Sequence, residues 1–334
     1  MRIFLISTLA LAMTIPASAE PARGDDLRQH ETGIKAQRIG EGVHDKFARA
    51  TKAHRAGELP EAKRLYESLL RDIKEDADAA LSAATHHSLG HIAFRRGDLG
   101  RATRMYYRAG DLYLQGDDTE GVGLMHEHIA EIAEARGDYG DAIALRMRAL
   151  ETYENLKNNS RIAGVYLELG RIGLVRDDVE GARDYAERAL SLYESADDSA
   201  GVARSYLELG RISGLGGDAA EAGRLYREAL TLYERAGELS GVAESHHLLG
   251  TLSFEAGDFY EAERLLFKSL ELNEAGRYLA NLARNYVGLG GIADHRGDRV
   301  LACRYWREAE RYFLEAGEMR ELGRLRPALA QLRC

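Results

Sequence analysis

The sequence predicts an all-α fold, an α-α superhelix or solenoid of seven helix-turn-helix repeats closed by a C-terminal capping helix. Three series of residues, all in one 40-residue register, predict it. A glycine followed by an acidic residue recurs at Gly57-Glu58, Gly97-Asp98, Gly137-Asp138, Gly217-Asp218, Gly257-Asp258 and Gly297-Asp298, with Asp177-Asp178 filling the remaining position. Five residues after each first position stands an alanine: Ala62, Ala102, Ala142, Ala182, Ala222, Ala262 and Ala302. Eight residues before it stands Leu-Gly or a near variant, at Leu89-Gly90, Ile129-Ala130, Leu169-Gly170, Leu209-Gly210, Leu249-Gly250 and Leu289-Gly290. Self-similarity at such an interval is the mark of a repeat architecture.

Each element follows in order. Residues 1–19 read as a secretory signal peptide: Arg2, an apolar run from Ile3 to Ile15, then Ala17-Ser18-Ala19 as a small-x-small cleavage site. The run is short for a ~30 Å hydrocarbon core, and no later segment is apolar enough to cross one. The mature chain is therefore expected not to span a membrane and to be periplasmic or secreted. Residues 20–40 are a polar lead-in, residues 41–317 hold the seven repeats, and residues 318–334 form the cap. Within a repeat the first helix carries apolar residues at 3.6-residue spacing, as at Tyr206, Leu209 and Ile212. Gly-Asp ends it, because glycine takes the left-handed conformation there and aspartate caps the next helix. The alanine, one turn into the second helix, lets the two backbones approach. The loops between repeats read as longer, with Thr119, Ser160 and Ser199 as N-caps. Residues 318 to 333 continue in first-helix register without a second helix, as the end of a repeat stack requires for solubility. Only four prolines in 334 residues agree with helix throughout.

The Leu-Gly, Gly-Asp and alanine positions resemble the tetratricopeptide repeat. So do an aromatic four residues past the alanine (Tyr66, Tyr106, Tyr226, Trp306) and a second small residue (Ala109, Ala149, Ala189, Ala229, Ala309). The 40-residue period is similar to the longer-helix variant of kinesin light chains and of Leu-Gly-Asn-type repeats. His86, His126, Tyr166, Tyr206, His246 and Tyr286 replace the family's early tryptophan. The resemblance implies a concave groove lined by first helices that holds a peptide or partner protein. By position it assigns Ser88, His91, His128, Glu131, Glu168, Arg171, Glu208, Arg211 and Thr251 to that groove. The asparagines that grip peptide backbone in the Leu-Gly-Asn type are absent from these positions. The charged pairs Glu168/Arg171 and Glu208/Arg211 instead suggest a polar, self-paired surface.

Other chemistry finds little support. With 45 basic against 54 acidic residues, interspersed, no basic surface for nucleic acid is expected. His87 and His91 have an i,i+4 spacing and Glu127 and Glu131 match them one repeat on, yet no signature fixes a ligand set, so no metal is expected. Arg-Gly-Asp at residues 96 to 98, 136 to 138 and 296 to 298 falls on inter-helix turns and reads as turn chemistry. No catalytic constellation or cofactor motif appears. Cys303 lies 14 residues before the reversal at Gly317 and Cys334 17 after it; at ~1.5 Å per residue the two meet, which suggests a disulfide, two free thiols being the alternative. The expected function is a non-enzymatic, exported protein-interaction scaffold, and the alternative is a peptide-sensing regulator that changes shape on binding its ligand.

Overall fold

The computed structural model describes residues 41–73 and 78–334; the segments read from the sequence as a signal peptide (1–19) and a lead-in (20–40) lie outside the described residues. Among the described residues the chain is helical. The order is α1 (Glu41–Arg55), α2 (Leu59–Asp72), α3 (Ala79–Arg95), α4 (Leu99–Gln115), α5 (Thr119–Arg136), α6 (Tyr139–Asn155), α7 (Asn159–Val175), α8 (Val179–Ser195), α9 (Ser199–Leu215), α10 (Ala219–Ala236), α11 (Leu239–Glu255), α12 (Phe259–Gly276), α13 (Leu279–His295), α14 (Arg299–Ala316) and α15 (Met319–Leu332). These are seven first-helix/second-helix pairs and a last unpaired first helix, the all-α repeat-solenoid class. Contacts divide the described residues into an N-terminal unit, 41–161, and a C-terminal unit, 162–334. No helix among the described residues is long and apolar enough to cross a membrane.

The 40-residue period is built from two halves of equal length. From α3 onward the turns between repeats are no longer than those within them, which corrects the sequence reading there: three residues separate α3 from α4, and three separate α4 from α5, whereas α2 and α3 stand six residues apart. Both kinds of turn use one device. A left-handed residue is followed by one that closes the first helix and opens the second. At the Gly97 turn (φ +75°) the Asp98 N–H donates to Ala93 O at 2.9 Å, while the Asp98 carboxylate accepts from Arg101 N at 3.0 Å. At the next turn the Asp118 N–H donates to Tyr113 O at 2.8 Å and its carboxylate accepts from Gly121 N. The backbone bond from the second residue past the helix satisfies an otherwise orphaned carbonyl, and the carboxylate satisfies an orphaned amide. The turns between repeats were misread because Asp117, Lys157, Asp197 and Arg277 take the left-handed conformation that glycine takes elsewhere. For the same reason the caps are Asp118, Asn158 and Asp198, and not Thr119, Ser160 and Ser199.

The repeat alanines pack the helix pairs: all seven are fully buried. The Leu-Gly glycine makes room mainly for the second-helix aromatic. A β-carbon on Gly90 would lie 2.6 Å from the Tyr106 ring, one on Gly210 2.5 Å from Tyr226, and one on Gly290 2.2 Å from the Trp306 Nε1. That nitrogen donates to Val287 O at 3.2 Å, so the indole is satisfied as well as buried. The second aromatic series works between repeats. Tyr113, Tyr193 and Tyr233 press on Gly121, Gly201 and Gly241 of the next first helix, where a β-carbon would come within 2.6 Å or less of the ring.

At the C-terminus α15 covers the apolar face of α13 and α14 through Leu322, Leu325 and Ala328. Cys303 on α14 is joined to Cys334 by a disulfide with Cα atoms 5.5 Å apart, closing a loop of 31 residues. Loop-closure entropy assigns such a link about 4 kcal/mol.

Candidate functional site

The residues assigned to the groove fall on first helices in both units, and their surroundings differ. In the N-terminal unit the first helices α1, α3 and α5 carry histidines bonded in pairs. His54 Nε2 lies 2.9 Å from His91 Nδ1, with ring centroids 5.0 Å apart. His87 Nε2 lies 3.1 Å from His128 Nε2, and His128 Nδ1 lies 3.3 Å from the Glu131 carboxylate. The Tyr106 ring stacks on His128 at 5.0 Å. Each nitrogen–nitrogen contact needs one N–H and one lone pair, so at least one ring of each pair is neutral. Burial, reinforced by the Arg95 and Arg55 charges, brings the His54 pKa down to about 4. Burial first, then the charges of His54, His128 and Arg95, holds His91 well below the usual histidine range. Ser88 is fully buried and its hydroxyl donates to Ala84 O at 2.9 Å, within its own helix.

A second buried polar cluster fixes α6 against α5. Arg146 sits 2.9 Å from Glu134 and 3.6 Å from Glu127, and the Tyr153 hydroxyl donates to Glu127. Burial raises the Glu127 pKa against the pull of Arg146, Arg161 and Tyr153. Glu127, a potential partner of the histidines in sequence, is thus engaged with α6. Among the described residues no group of three or more histidines, cysteines or carboxylates is placed to hold a metal ion.

In the C-terminal unit the first helices α7, α9, α11 and α13 carry guanidinium groups and carboxylates. Glu168 accepts from Arg171 one turn along α7 and, at 2.9 Å, from Arg204 on α9. Arg211 donates to Glu208 on its own helix and to Glu244 on α11. Burial raises the Glu208 pKa, opposed by Arg211 and Arg171. At Glu244 burial is outweighed by Arg211, so this carboxyl stays below its ordinary value. Desolvation lowers the Arg211 pKa, but Glu208 and Glu244 more than offset it and raise it overall. Glu168, Arg171, Glu208 and Arg211 thus lie together in one inter-helix ladder. Thr251 does not join it: it is buried and its hydroxyl donates to His247 O at 3.0 Å.

Four ladder members escaped the sequence reading: His54 in the N-terminal unit, and Arg204, Glu244 and Arg284 in the C-terminal one. The last three stand at one register position, five residues before Leu-Gly, and Arg324 continues the series on α15. That 40-residue spacing was the available signal. Next to Arg284, Asn285 is tied down on both sides. Its Oδ1 lies 2.7 Å from His247 Nδ1, and its Nδ2 donates to Ser269 Oγ at 3.0 Å; Ser269 also accepts from Asn273 at 3.1 Å. Because Oδ1 can only accept, the His247 proton sits on Nδ1. This buried network sets the rotation of α13 and so the direction of Arg284.

With this geometry in view, comparison with known proteins is informative about the repeat. Residues 161–235 match the family model described as tetratricopeptide repeat. No curated protein sequence matches the chain. Solved structures do. RapI in its apo form is similar at 15% identity and a TM-score of 0.64, over 82% of this chain and 99% of that one. The Rap conjugation regulator of plasmid pLS20, solved with the Phr* peptide, is similar at 17% identity and a TM-score of 0.61, over 91% and 88%. BtubC from P. vanneervenii is similar at 20% identity and 0.51, over 71% and 93%. At these identities the likeness concerns the fold. This chain is therefore a protein of tetratricopeptide-type repeats, matched by sequence over residues 161–235 and continued by the same helix pair, in the same register, on either side.

Proposed function

We propose that the protein is an exported, non-enzymatic interaction scaffold that holds a peptide or a segment of a partner protein against its first helices. The observation that carries this is the polar ladder of the C-terminal unit. Four guanidinium groups (Arg171, Arg204, Arg211, Arg284) and three carboxylates (Glu168, Glu208, Glu244) occupy successive first helices in register. Stability alone gives little reason to keep buried ion pairs, since well-packed apolar residues serve as well or better. Extended, regularly spaced polar groups on a rigid stack suit the repeating backbone and side chains of a bound chain. The pLS20 regulator, of the same fold, was solved with a peptide. Export rests on the leader, Arg2 through Ala19.

Two experiments test this. Peptides and proteins captured from an extract of the producing cells by the protein and by its Glu168→Gln/Glu244→Gln variant are compared by mass spectrometry. A set retained by the first and lost from the second is expected, and identical sets contradict the reading. N-terminal sequencing of the protein as made by the cell should begin at Glu20; an intact Met1 in the cytoplasm contradicts export.

The regulator reading is favoured by the likeness in fold to the conjugation gene regulator of pLS20. Small-angle scattering with and without the captured ligand separates the two, because a scaffold keeps its radius of gyration and a switch changes it.

A further inference from the structure

Helix α3 is joined to the first helices on either side of it by histidines that reach opposite ways. His91 meets His54 of α1 at 2.9 Å, and His87, one turn earlier, meets His128 of α5 at 3.1 Å. His54, His87 and His128 are buried and His91 is partly buried. The geometry limits how many protons these two seams can hold. A nitrogen–nitrogen bond needs a lone pair on one side, so a closed pair carries one imidazolium at most. When α3 separates from α1 and α5, all four rings meet water and titrate near the ordinary value of about 6.5. By about pH 5 nearly all of them are then charged. Opening at that pH therefore takes up at least about one proton per seam, and about two in all.

The groups around the seams weight this further. At the α1/α3 seam the neighbours are cationic or neutral. Burial, then the Arg95 and Arg55 charges, brings the His54 pKa down to about 4. Burial, then the charges of His54, His128 and Arg95, holds His91 well below the usual range. From α2 the Tyr66 ring stands 6.0 Å from His54, its hydroxyl bonded to Thr51. At the α3/α5 seam Glu131 is bonded to His128 at 3.3 Å and favours one proton there. From α4 the Tyr106 ring stands 6.0 Å from His87 and 5.0 Å from His128. Glu127, which also feels the His128 charge, is engaged by Arg146 and Tyr153 of α6. The apolar contacts of α3, Leu89 and Ile92 among them, do not titrate, so the pH response of this helix lies in its two seams.

We propose that α3 is a proton-operated latch, which locks α1 and α5 together in neutral medium and is freed in acid when both rings of each pair become charged. Because α3 carries one ring of each seam, the two seams give way together. The latch does not depend on what the first-helix face binds.

The test is hydrogen exchange of the α3 amides in the full chain, between about pH 5.5 and pH 4.5 and corrected for intrinsic exchange, with α9 as the internal control. The opening constant changes tenfold per pH unit for each proton taken up, so α3 of the wild type should lose protection at least about 100-fold per unit. His54→Gln/His91→Gln and His87→Gln/His128→Gln replace each seam with amides, which hydrogen-bond without titrating. Each double variant should make the fall at least about tenfold shallower per unit, and removing both seams should bring α3 to the level of α9. Circular dichroism melting at neutral pH confirms that the variants are folded, and the wild-type slope decides alone should one fail. A wild-type fall of about tenfold per unit or less overturns the latch. So does a slope that both double variants leave unchanged, or an equal fall in α9.

Discussion

The first helices of the two units occupy the same register and do opposite things with it. In the N-terminal unit the polar positions are filled by histidines that pair with each other and with Glu131, and burial holds His54 and His91 neutral. In the C-terminal unit they are filled by arginines and glutamates that stay ionised by pairing. The backbone is indifferent: the same left-handed turns, acidic caps and buried alanines build both. The difference teaches that the repeat fixes where a side chain stands, while the sequence at those few positions decides whether the face meets its environment as neutral rings or as fixed charges.

The largest effect expected from disturbing this contrast is at Arg211. Replacing it with alanine leaves Glu208 and Glu244 buried without their shared partner, a loss of about 3–5 kcal/mol. Urea denaturation should show that loss, whereas the triple replacement Arg211→Leu/Glu208→Leu/Glu244→Leu should recover most of it. An unchanged midpoint for Arg211→Ala would mean that the ladder is only a wet surface feature. Next comes the disulfide. Reducing Cys303–Cys334 should cost about 4 kcal/mol, and alkylation before reduction should find no reactive thiol. Two reactive thiols in the untreated protein would refute the link. Smaller still is a pair of glycine replacements one residue apart. Gly290→Ala drives a β-carbon into the Trp306 indole and should cost about 1–3 kcal/mol. Gly291→Ala meets only the Phe254 ring at 3.6 Å and should gain up to about 1 kcal/mol from helix propensity. Equal melting temperatures for the two would show that the Leu-Gly position is not a contact point.

How legible this was in the sequence depended on which interactions are local. The helix pairs, the Gly-Asp turns and the unpaired last helix follow from spacing alone, because each lies within one repeat. The turns between repeats were misjudged because Asp117, Lys157, Asp197 and Arg277 adopt a conformation that glycine would have announced. The polar first-helix face was legible in part. Positions next to Leu-Gly lead to Glu168, Arg171, Glu208 and Arg211, but their partners Arg204 and Glu244 lie on neighbouring first helices, and a reading confined to one helix does not see them. His54 was missed likewise, since it pairs with His91 37 residues away. Ser88 and Thr251 occupy the right register yet turn their hydroxyls to their own helices, a choice that short side chains make readily in helix interiors.

The contrast between the units is tested most directly by hydrogen exchange, read by mass spectrometry as a function of pH. His54 has a folded pKa of about 4 against an ordinary value near 6.5. The unfolded chain therefore binds the proton first. The stability this group contributes is complete above about pH 6.5 and is lost as pH falls toward 4, by roughly 2 kcal/mol at pH 5. Glu127, held high by burial, works in the opposite sense, and His54→Phe isolates the histidine contribution. After correction for intrinsic exchange, α1 and α3 should lose protection between pH 7.5 and pH 5 while α9 keeps its own; α11 is no control, because burial lowers the His246 pKa there too. His54→Phe should flatten the loss in the N-terminal unit. An equal change in α9, or a loss confined to α9, would contradict the account.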